Sequence, residues 1–138
     1  GAVAGLCPLT EANLGDGIFP LDDYKNHGGH WAIGSDSNIK INPAEELQML
    51  AYSQRLSLRK RVVCSDAKQP HAGSWLWQQA MVGGAQANGQ ALGGIAPGQL
   101  SAFLALHSDN QPDQKRDRAE TLLDRLIFAD DVHIERLV

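Results

Sequence analysis

The sequence predicts an α/β protein with parallel strands. In its first half, short apolar runs that suit buried strands alternate with segments that carry helix start and stop signals, in the order strand–helix–strand–helix. Two such units cannot close a sheet, and unpaired strand edges invite aggregation. We therefore expect the 138 residues to be a piece of a longer chain, or to depend on other chains for stability.

The first unit begins with an apolar run at residues 2–7, which predicts a short buried strand. A polar, glycine-containing loop is expected over residues 8–19. A short helix follows, with Pro20 at its first position and two aspartates in its first turn, where the helix dipole favours anions. Gly28 and Gly29 end this helix.

The second unit contains the clearest helix of the chain. A strand is predicted at residues 31–35, and Asn42 then caps a helix with Pro43 at its first position and Glu45 placed to complete a capping box. The pattern continues to about Val62. One face of this helix carries residues at helical spacing, namely Leu47, Leu50, Ala51, Gln54 and Leu58.

The polar segment 65–73 interrupts the pattern, and Ser74 is predicted to cap the next helix. Small residues around Gly83 and Gly84 give this helix a face that can pack closely, and it is expected to end near residues 88–89. Beyond it the sequence predicts a turn at 95–98, a strand at 102–106, a polar loop at 108–115, a helix at 118–128 and a last strand at 133–138.

Composition and charge weigh against several classes of function. The formal net charge is −4, which weighs against nucleic acid or an anionic membrane surface as the main partner. No apolar run reaches the roughly 18 residues that cross a bilayer. Two cysteines, Cys7 and Cys64, are too few for a disulfide scaffold and predict free thiols in a reducing compartment. We expect a soluble, cytoplasmic protein, with the basic run 55–61 as a solvated helix face or, alternatively, an anion site.

One carboxylate stands out by its position. The predicted strand runs into Gly34-Ser-Asp-Ser37, and a loop and a capped helix follow, so that Asp36 lies at the carboxyl end of a strand. Active-site residues of (β/α)₈ barrels lie at this end, and a carboxylate there can bind a metal or move protons. An aspartate in such a loop also serves as an ordinary cap or turn residue, and this alternative remains open.

Longer stretches of the sequence resemble one enzyme family. Residues 6–17, Leu-Cys-Pro-Leu-Thr-Glu-Ala-Asn-Leu-Gly-Asp-Gly, are similar to the loop after the seventh barrel strand of the formimidoylglutamate deiminases, which are amidohydrolase-superfamily enzymes. Gly34-Ser-Asp-Ser37 resembles the eighth-strand motif of that family. The resemblance covers nearly the whole chain and extends to the weaker segments 45–47, 52–56, 83–87 and 94–98.

The resemblance implies a fold for a C-terminal fragment. Residues 1–92 would form the last two βα units of a metal-dependent-hydrolase (β/α)₈ barrel, and residues 93–138 part of a small C-terminal β domain. The complete enzyme would be a homodimer with a small-molecule substrate.

The resemblance also implies an activity, which is the hydrolysis of N-formimino-L-glutamate to N-formyl-L-glutamate and ammonia in histidine degradation. Asp36 would bind the one catalytic zinc and carry the proton of the attacking water. The remaining zinc ligands would come from outside this chain, so the chain alone would be inactive.

Five further residues, in the loops that follow the first and second predicted strands, are weaker candidates for the site. We expect them to line the substrate pocket, to hold its loops or, in the case of the two serines, to orient the Asp36 carboxylate. These residues are Thr10, Glu11, Asn13, Ser35 and Ser37. Cys7 is expected to be a small packed residue rather than a nucleophile.

The five histidines do not supply a metal site with Asp36. His27 and His30 precede the strand that Asp36 follows, and a strand of this length spans roughly 20 Å, so they cannot share one ion with Asp36. We expect them in a loop at the opposite end of the barrel. The other three are expected at the surface, namely His71, His107 and His133.

Two alternatives to the deiminase interpretation stay open. The chain could belong to another amidohydrolase-superfamily deaminase, such as one that acts on a nucleobase. It could also be an independent binding module without catalysis. Asn38 stands where the family often has a histidine after the Gly-Ser-Asp-Ser motif, and this departure puts activity in doubt.

Overall fold

The computed structural model describes residues 1–91, 97, 104–108 and 119–136. Nine elements follow one another in these ranges, and they divide into two parallel strands with their helices and an antiparallel strand pair that frames the last helix. In chain order they are β1 (Val3–Leu6), α1 (Pro8–Leu14), α2 (Leu21–Asn26), β2 (His30–Ile33), α3 (Pro43–Leu58), α4 (Ala72–Ala87), β3 (Leu104–Ser108), α5 (Ala119–Phe128) and β4 (Val132–Arg136).

The strands β1 and β2 pair in parallel, as the sequence predicts. Their register aligns Val3 with His30 and Leu6 with Ile33. The backbone N–H of Gly34 donates to the carbonyl of Leu6 at 2.9 Å and extends the ladder by one bond. Because the strands are parallel, the segments that follow them leave the sheet at the same edge.

The expected loop over residues 8–19 is wrong in its first half, because a seven-residue helix, α1, forms there. Pro8 occupies its first position, where the missing N–H costs nothing. Gly15 ends it in the left-handed conformation with φ of 74°, and its N–H donates to the carbonyl of Glu11 at 2.9 Å. The proline and the glycine were the start and stop signals that the polar composition of this segment obscured.

Helix α3 begins as predicted and ends earlier. The side chain of Asn42 accepts a hydrogen bond from the N–H of Ala44 at 2.9 Å, and Pro43 is the first helical residue. The carboxylate of Glu45 accepts from the side-chain amide of Asn42 at 3.3 Å. Arg59 takes a left-handed conformation with φ of 51° and ends the helix before Val62. Four residues of the predicted face are buried, namely Leu47, Leu50, Ala51 and Gln54.

The predicted cap of α4 is wrong, since the helix begins at Ala72 and Ser74 lies buried inside its first turn. A residue distant in sequence supplies the missing acceptor. The carboxylate of Asp124 in α5 accepts from the N–H of Gly73 at 2.6 Å and from Nδ1 of His71 at 2.7 Å. The predicted end of the helix is confirmed, with Asn88 as its C-terminal cap.

The C-terminal elements match the predicted order with shifted bounds. β3 and β4 pair antiparallel with Leu104 opposite Arg136, and β3 continues to Ser108, two residues beyond its expected end. The predicted turn at 95–98, apart from Pro97, and most of the loop at 108–115 lie outside the described residues. Leu126, Ile127 and Val132 join the same buried core as the parallel strands and their helices.

The core centres on two tryptophans. Trp31 in β2 and Trp75 in α4 are 1% and 2% exposed, and their ring centroids are 6.1 Å apart. Gly83 lies so close to β2 that a Cβ at this position would be 1.8 Å from the carbonyl oxygen of Trp31. The predicted close-packing face of α4 is therefore confirmed, and it lies against β2. Across the described ranges, every helix is too short or too polar to cross a membrane.

Replacement of Gly83 by alanine should destabilise the protein by about 2 kcal/mol or more, because the added methyl group collides with backbone rather than with a movable side chain. Gly84→Ala is the matched control. A Cβ there meets nothing within 4 Å, so alanine should stabilise the helix by about 0.5 to 1 kcal/mol. Thermal or denaturant unfolding measures both changes, and equal effects would contradict the packing of α4 on β2.

Candidate functional site

Two polar segments meet where β1 and β2 end. Cys7 and α1 follow β1 directly, and a turn at residues 35–38 follows β2. Parallel pairing brings both segments to the carboxyl edge of the sheet. Every candidate site residue that the sequence indicated lies in one of these two segments.

Asp36 occupies the second position of the turn. The N–H of Asn38 donates to the carbonyl of Ser35 at 2.9 Å and closes the turn. Asp36 has φ of 47°, in the left-handed region that costs most residues roughly 1–2 kcal/mol but that aspartate tolerates better. Its side chain is exposed. The turn thus presents one carboxylate to solvent at the carboxyl end of the parallel strands.

Thr10 and Glu11 form hydrogen bonds within the site. The hydroxyl of Thr10, which is 5% exposed, donates to the carbonyl of Ser35 at 2.9 Å and ties α1 to the turn. The carboxylate of Glu11 accepts from the N–H of Cys7 at 2.7 Å and satisfies the start of its own helix. These contacts pin backbone, whereas Asn13 and Ser37 are exposed to solvent.

The structure adds Glu46, which the sequence reasoning did not single out. It lies in α3, is 1% exposed, and its Oε2 accepts from the N–H of Leu9 at 2.9 Å. Its Oε1 is buried without a hydrogen-bond partner among the described residues. A signal was present in the sequence, since Glu46 precedes Leu50 by four residues and therefore falls on the buried face of α3.

Burial raises the pKa of the Glu46 carboxyl group above its ordinary value, and the N–H of Leu9 and the nearby Asn38 side chain oppose that rise. The Asn38 side chain therefore lies near the Glu46 carboxyl group, although Oε1 of Glu46 has no hydrogen-bond partner among the described residues. Asn38, the residue that departs from the family pattern, therefore lies beside a buried carboxylate and is the last residue of the turn that carries Asp36.

The pKa of the Cys7 thiol depends on the charges around the site. Burial raises the pKa of its thiol, and the negative charges of Asp36, Glu11 and Glu46 raise it further. The thiol is therefore protonated at neutral pH, which fits a packed residue rather than a nucleophile. Cys64 is buried elsewhere in the core, and burial raises its pKa to about 12.

The histidines lie away from Asp36. His30 is the first residue of β2, at the strand end opposite to Asp36, and its Nδ1 hydrogen-bonds to Oε1 of Gln86. Nδ1 of His27 donates to the carbonyl of Asp23 at 2.7 Å. His107 and His133 are exposed and face each other across β3 and β4, as expected of surface residues.

A metal at Asp36 would need ligands from elsewhere. A carboxylate oxygen is an accepted zinc donor, and the exposure of Asp36 leaves it accessible. In the described part of the chain, however, no three histidine, cysteine, aspartate or glutamate side chains come together as a metal site. Asp36 therefore fits as a single ligand of a shared centre.

The basic run at residues 55–61 borders a cavity away from Asp36. The Arg55 guanidinium lies 5.4 Å from the ring centroid of Tyr52 and 4.9 Å from that of Phe128, which are cation–π distances. Arg55 and Arg61 line a cavity of about 550 Å³ that His71 and Asp124 also border. The predicted solvated helix face is wrong for Arg55, whose side chain packs on aromatic rings and whose Nε is buried without a hydrogen-bond partner among the described residues. Arg59, Lys60 and Arg61 are exposed but lie beyond the last residue of α3.

Comparison with known proteins supports the resemblance that the motifs suggested. The chain is 47% identical over 129 residues to a protein of Pseudomonas aeruginosa named formimidoylglutamate deiminase, which covers 94% of the chain. It also superposes on the crystal structure of an amidohydrolase from Brucella melitensis with a TM-score of 0.88 and 40% identity over 97% of the chain. No protein-family model matches.

Both relatives are much longer than this chain. The chain spans 28% of the Pseudomonas protein and 29% of the Brucella chain. The resemblance to a formimidoylglutamate deiminase is thus confirmed, and the α/β fold is that of an amidohydrolase over this portion.

Removal of the Asp36 charge should make Cys7 more reactive. Asp36→Asn takes away a negative charge that raises the Cys7 pKa, so the thiolate fraction at pH 8 should rise and reaction with a disulfide reagent should be faster by roughly two- to fivefold. The control is Asp16→Asn, an exposed aspartate after α1. Equal rates in the two variants would contradict the proximity of Asp36 to Cys7, while Cys64 stays silent because of its high pKa.

Proposed function

We propose that this chain is the C-terminal part of a formimidoylglutamate deiminase and that it contributes Asp36 to the active site. The observation that carries the proposal is the placement of Asp36, an exposed carboxylate with a left-handed backbone at the carboxyl end of a parallel strand pair. Strained backbone of this kind concentrates at functional sites. The 47% identity to the Pseudomonas deiminase supports the choice of reaction.

The proposed reaction is the hydrolysis of N-formimino-L-glutamate to N-formyl-L-glutamate and ammonia. A bond forms between the oxygen of water and the formimino carbon, and the bond from that carbon to the terminal nitrogen breaks. The Asp36 carboxylate accepts one proton from the attacking water and delivers it to the imino nitrogen. It then transfers the second water proton from the new hydroxyl group to the same nitrogen, so that the carbon–oxygen double bond forms as ammonia leaves. One group can serve as base and then as acid because it is regenerated between the two transfers.

Asp36 would hold one zinc ion per active site together with ligands from outside the described residues. Such an ion supplies Lewis acidity and lowers the pKa of bound water to near neutrality. Asp36 remains the proton carrier of the reaction. The turn at residues 35–38 and its bond to Thr10 keep that carboxylate in place.

The finer architecture follows from the same proposal. Residues 1–92 form the last two βα units of a (β/α)₈ barrel, and residues 93–138 part of a small C-terminal β domain. Within the described residues the parallel sheet has two strands, so each strand has an edge that further barrel strands would pair. The complete enzyme is a cytoplasmic homodimer of histidine degradation that binds neither nucleic acid nor membrane.

A nucleobase deaminase is the second candidate, because such enzymes share the superfamily and the eighth-strand aspartate. The loop sequence Thr10-Glu-Ala-Asn13 favours the deiminase, since it is the version that resembles that family. A binding module without catalysis is the third candidate. The exposed Asp36 carboxylate in a left-handed turn favours the enzyme over the module.

The test is ammonia release from N-formimino-L-glutamate by the zinc-loaded full-length protein. We expect release from the wild type and a loss of at least about a hundredfold in kcat for Asp36→Asn, because the amide cannot accept the proton. Asp16→Asn, which changes an exposed aspartate just after α1, should behave as the wild type. Ammonia release from guanine or cytosine instead of N-formimino-L-glutamate would establish the nucleobase alternative. No ammonia release from any of these substrates would contradict both enzyme hypotheses.

The isolated 138-residue chain should be poorly stable or oligomeric. Its parallel sheet has two open edges in the described part, and several large apolar residues are exposed there, including Ile39 at 98%, Ile41 at 83% and Leu56 at 77%. Size-exclusion chromatography with light scattering and a thermal melt measure this. A monomer with a sharp two-state melt would favour the independent binding module.

A further inference from the structure

Glu46 is a carboxylate in an unusual environment for its type. It is 1% exposed, whereas ionisable side chains are almost never fully buried unless they are paired. Its partner is not a cation but the backbone N–H of Leu9, at 2.9 Å. The second oxygen has no hydrogen-bond partner in the described residues. A leucine at this position of α3 would pack without these costs, so the carboxylate needs another explanation.

The contact of Glu46 leads toward Asp36 through three residues. Glu46 in α3 holds the N–H of Leu9 in the first turn of α1. The next residue, Thr10, donates its hydroxyl to the carbonyl of Ser35 at 2.9 Å. Ser35 is bonded covalently to Asp36 and closes the turn around it by accepting from Asn38. The buried Glu46 carboxylate therefore holds α1 in place, and α1 in turn holds the turn at residues 35–38.

Asn38, the last residue of the turn, also lies near the Glu46 carboxyl group. Its side chain lies near enough to Glu46 to lower the pKa of that carboxyl group. Ser35 at the start of the turn is therefore bonded to Thr10, and Asn38 at its end lies near Glu46.

We propose that Glu46 is a positioning residue, which fixes the Asp36 carboxylate through the hydrogen bonds from Leu9 and Thr10. This inference rests on the proposed function of Asp36. Outer partners of this kind orient a reacting or metal-binding group, and their removal typically costs roughly 10–100-fold in activity or metal affinity. A small displacement of Asp36 would lower the rate without weakening substrate binding.

The experiment compares four variants of the zinc-loaded full-length protein. Glu46→Leu removes the acceptor for Leu9 at similar size, and Thr10→Val removes the hydroxyl while it keeps the side-chain shape. Glu46→Gln keeps an acceptor oxygen. Gln54→Leu is the matched control, because Gln54 is also buried in α3 and also bonds to a distant backbone, the carbonyl of Phe19 at 2.8 Å, but has no connection to the turn.

We expect kcat to fall roughly tenfold or more in Glu46→Leu and in Thr10→Val, with KM within about twofold of the wild type. The double variant should be no slower than the slower single variant, since both changes break the same connection. Glu46→Gln should retain most of kcat. Gln54→Leu should lose stability and keep kcat.

Two readouts do not depend on turnover. Glu46→Leu should lose zinc faster than the wild type on dialysis against a chelator, and hydrogen exchange at the Asn38 amide should accelerate in Glu46→Leu and Thr10→Val but not in Gln54→Leu. The inference is overturned, with the deiminase function intact, if an active wild type keeps its kcat in both variants, or if Gln54→Leu loses kcat as they do. If the wild type releases no ammonia, the proposed function fails. Equal hydrogen exchange at the Asn38 amide in Glu46→Leu, Thr10→Val and Gln54→Leu overturns the positioning role by itself.

Discussion

The parallel pairing of β1 with β2 is the constraint on which the rest of the structure depends. Four aligned residue pairs, from Val3 with His30 to Leu6 with Ile33, bring Cys7 and Gly34 to the same edge of the sheet. A shift of one residue would turn the buried Trp31 to the other face and separate α1 from the turn that carries Asp36. The site exists because this register is kept.

Helix packing supports the register from one face of the sheet. Gly83 of α4 lies against the backbone of Trp31, and the two tryptophans of the core contact each other beside it. The carboxylate of Asp124 then joins the start of α4 to α5, which links the antiparallel strand pair to the parallel sheet. The buried apolar residues of the described ranges therefore form one core, to which the C-terminal strand pair contributes Val132.

The polar contacts near Asp36 divide into those that face solvent and those that hold backbone. Thr10, Glu11 and Glu46 each hydrogen-bond to a main-chain group, and these bonds hold the backbone at the ends of the two strands. A buried carboxylate such as Glu46 is unfavourable unless its bonds repay the loss of water. The bond to Leu9 and the position beside the turn give this buried carboxylate a structural role near Asp36.

The sequence by itself determined the order of the elements other than α1, the capped start of α3, the close-packing face of α4 and the strand-end location of Asp36, because caps, glycines and apolar spacing act over a few residues. It also contained the resemblance that the comparisons support. Helix α1 was missed because its polar composition concealed the proline and glycine that bound it. Only the tertiary structure decided the acceptor at the start of α4, the burial of Glu46 and the bond from Thr10 to Ser35. The hydrogen bonds behind these three features join residues between 25 and 53 positions apart, and such pairs leave no periodic pattern along the chain.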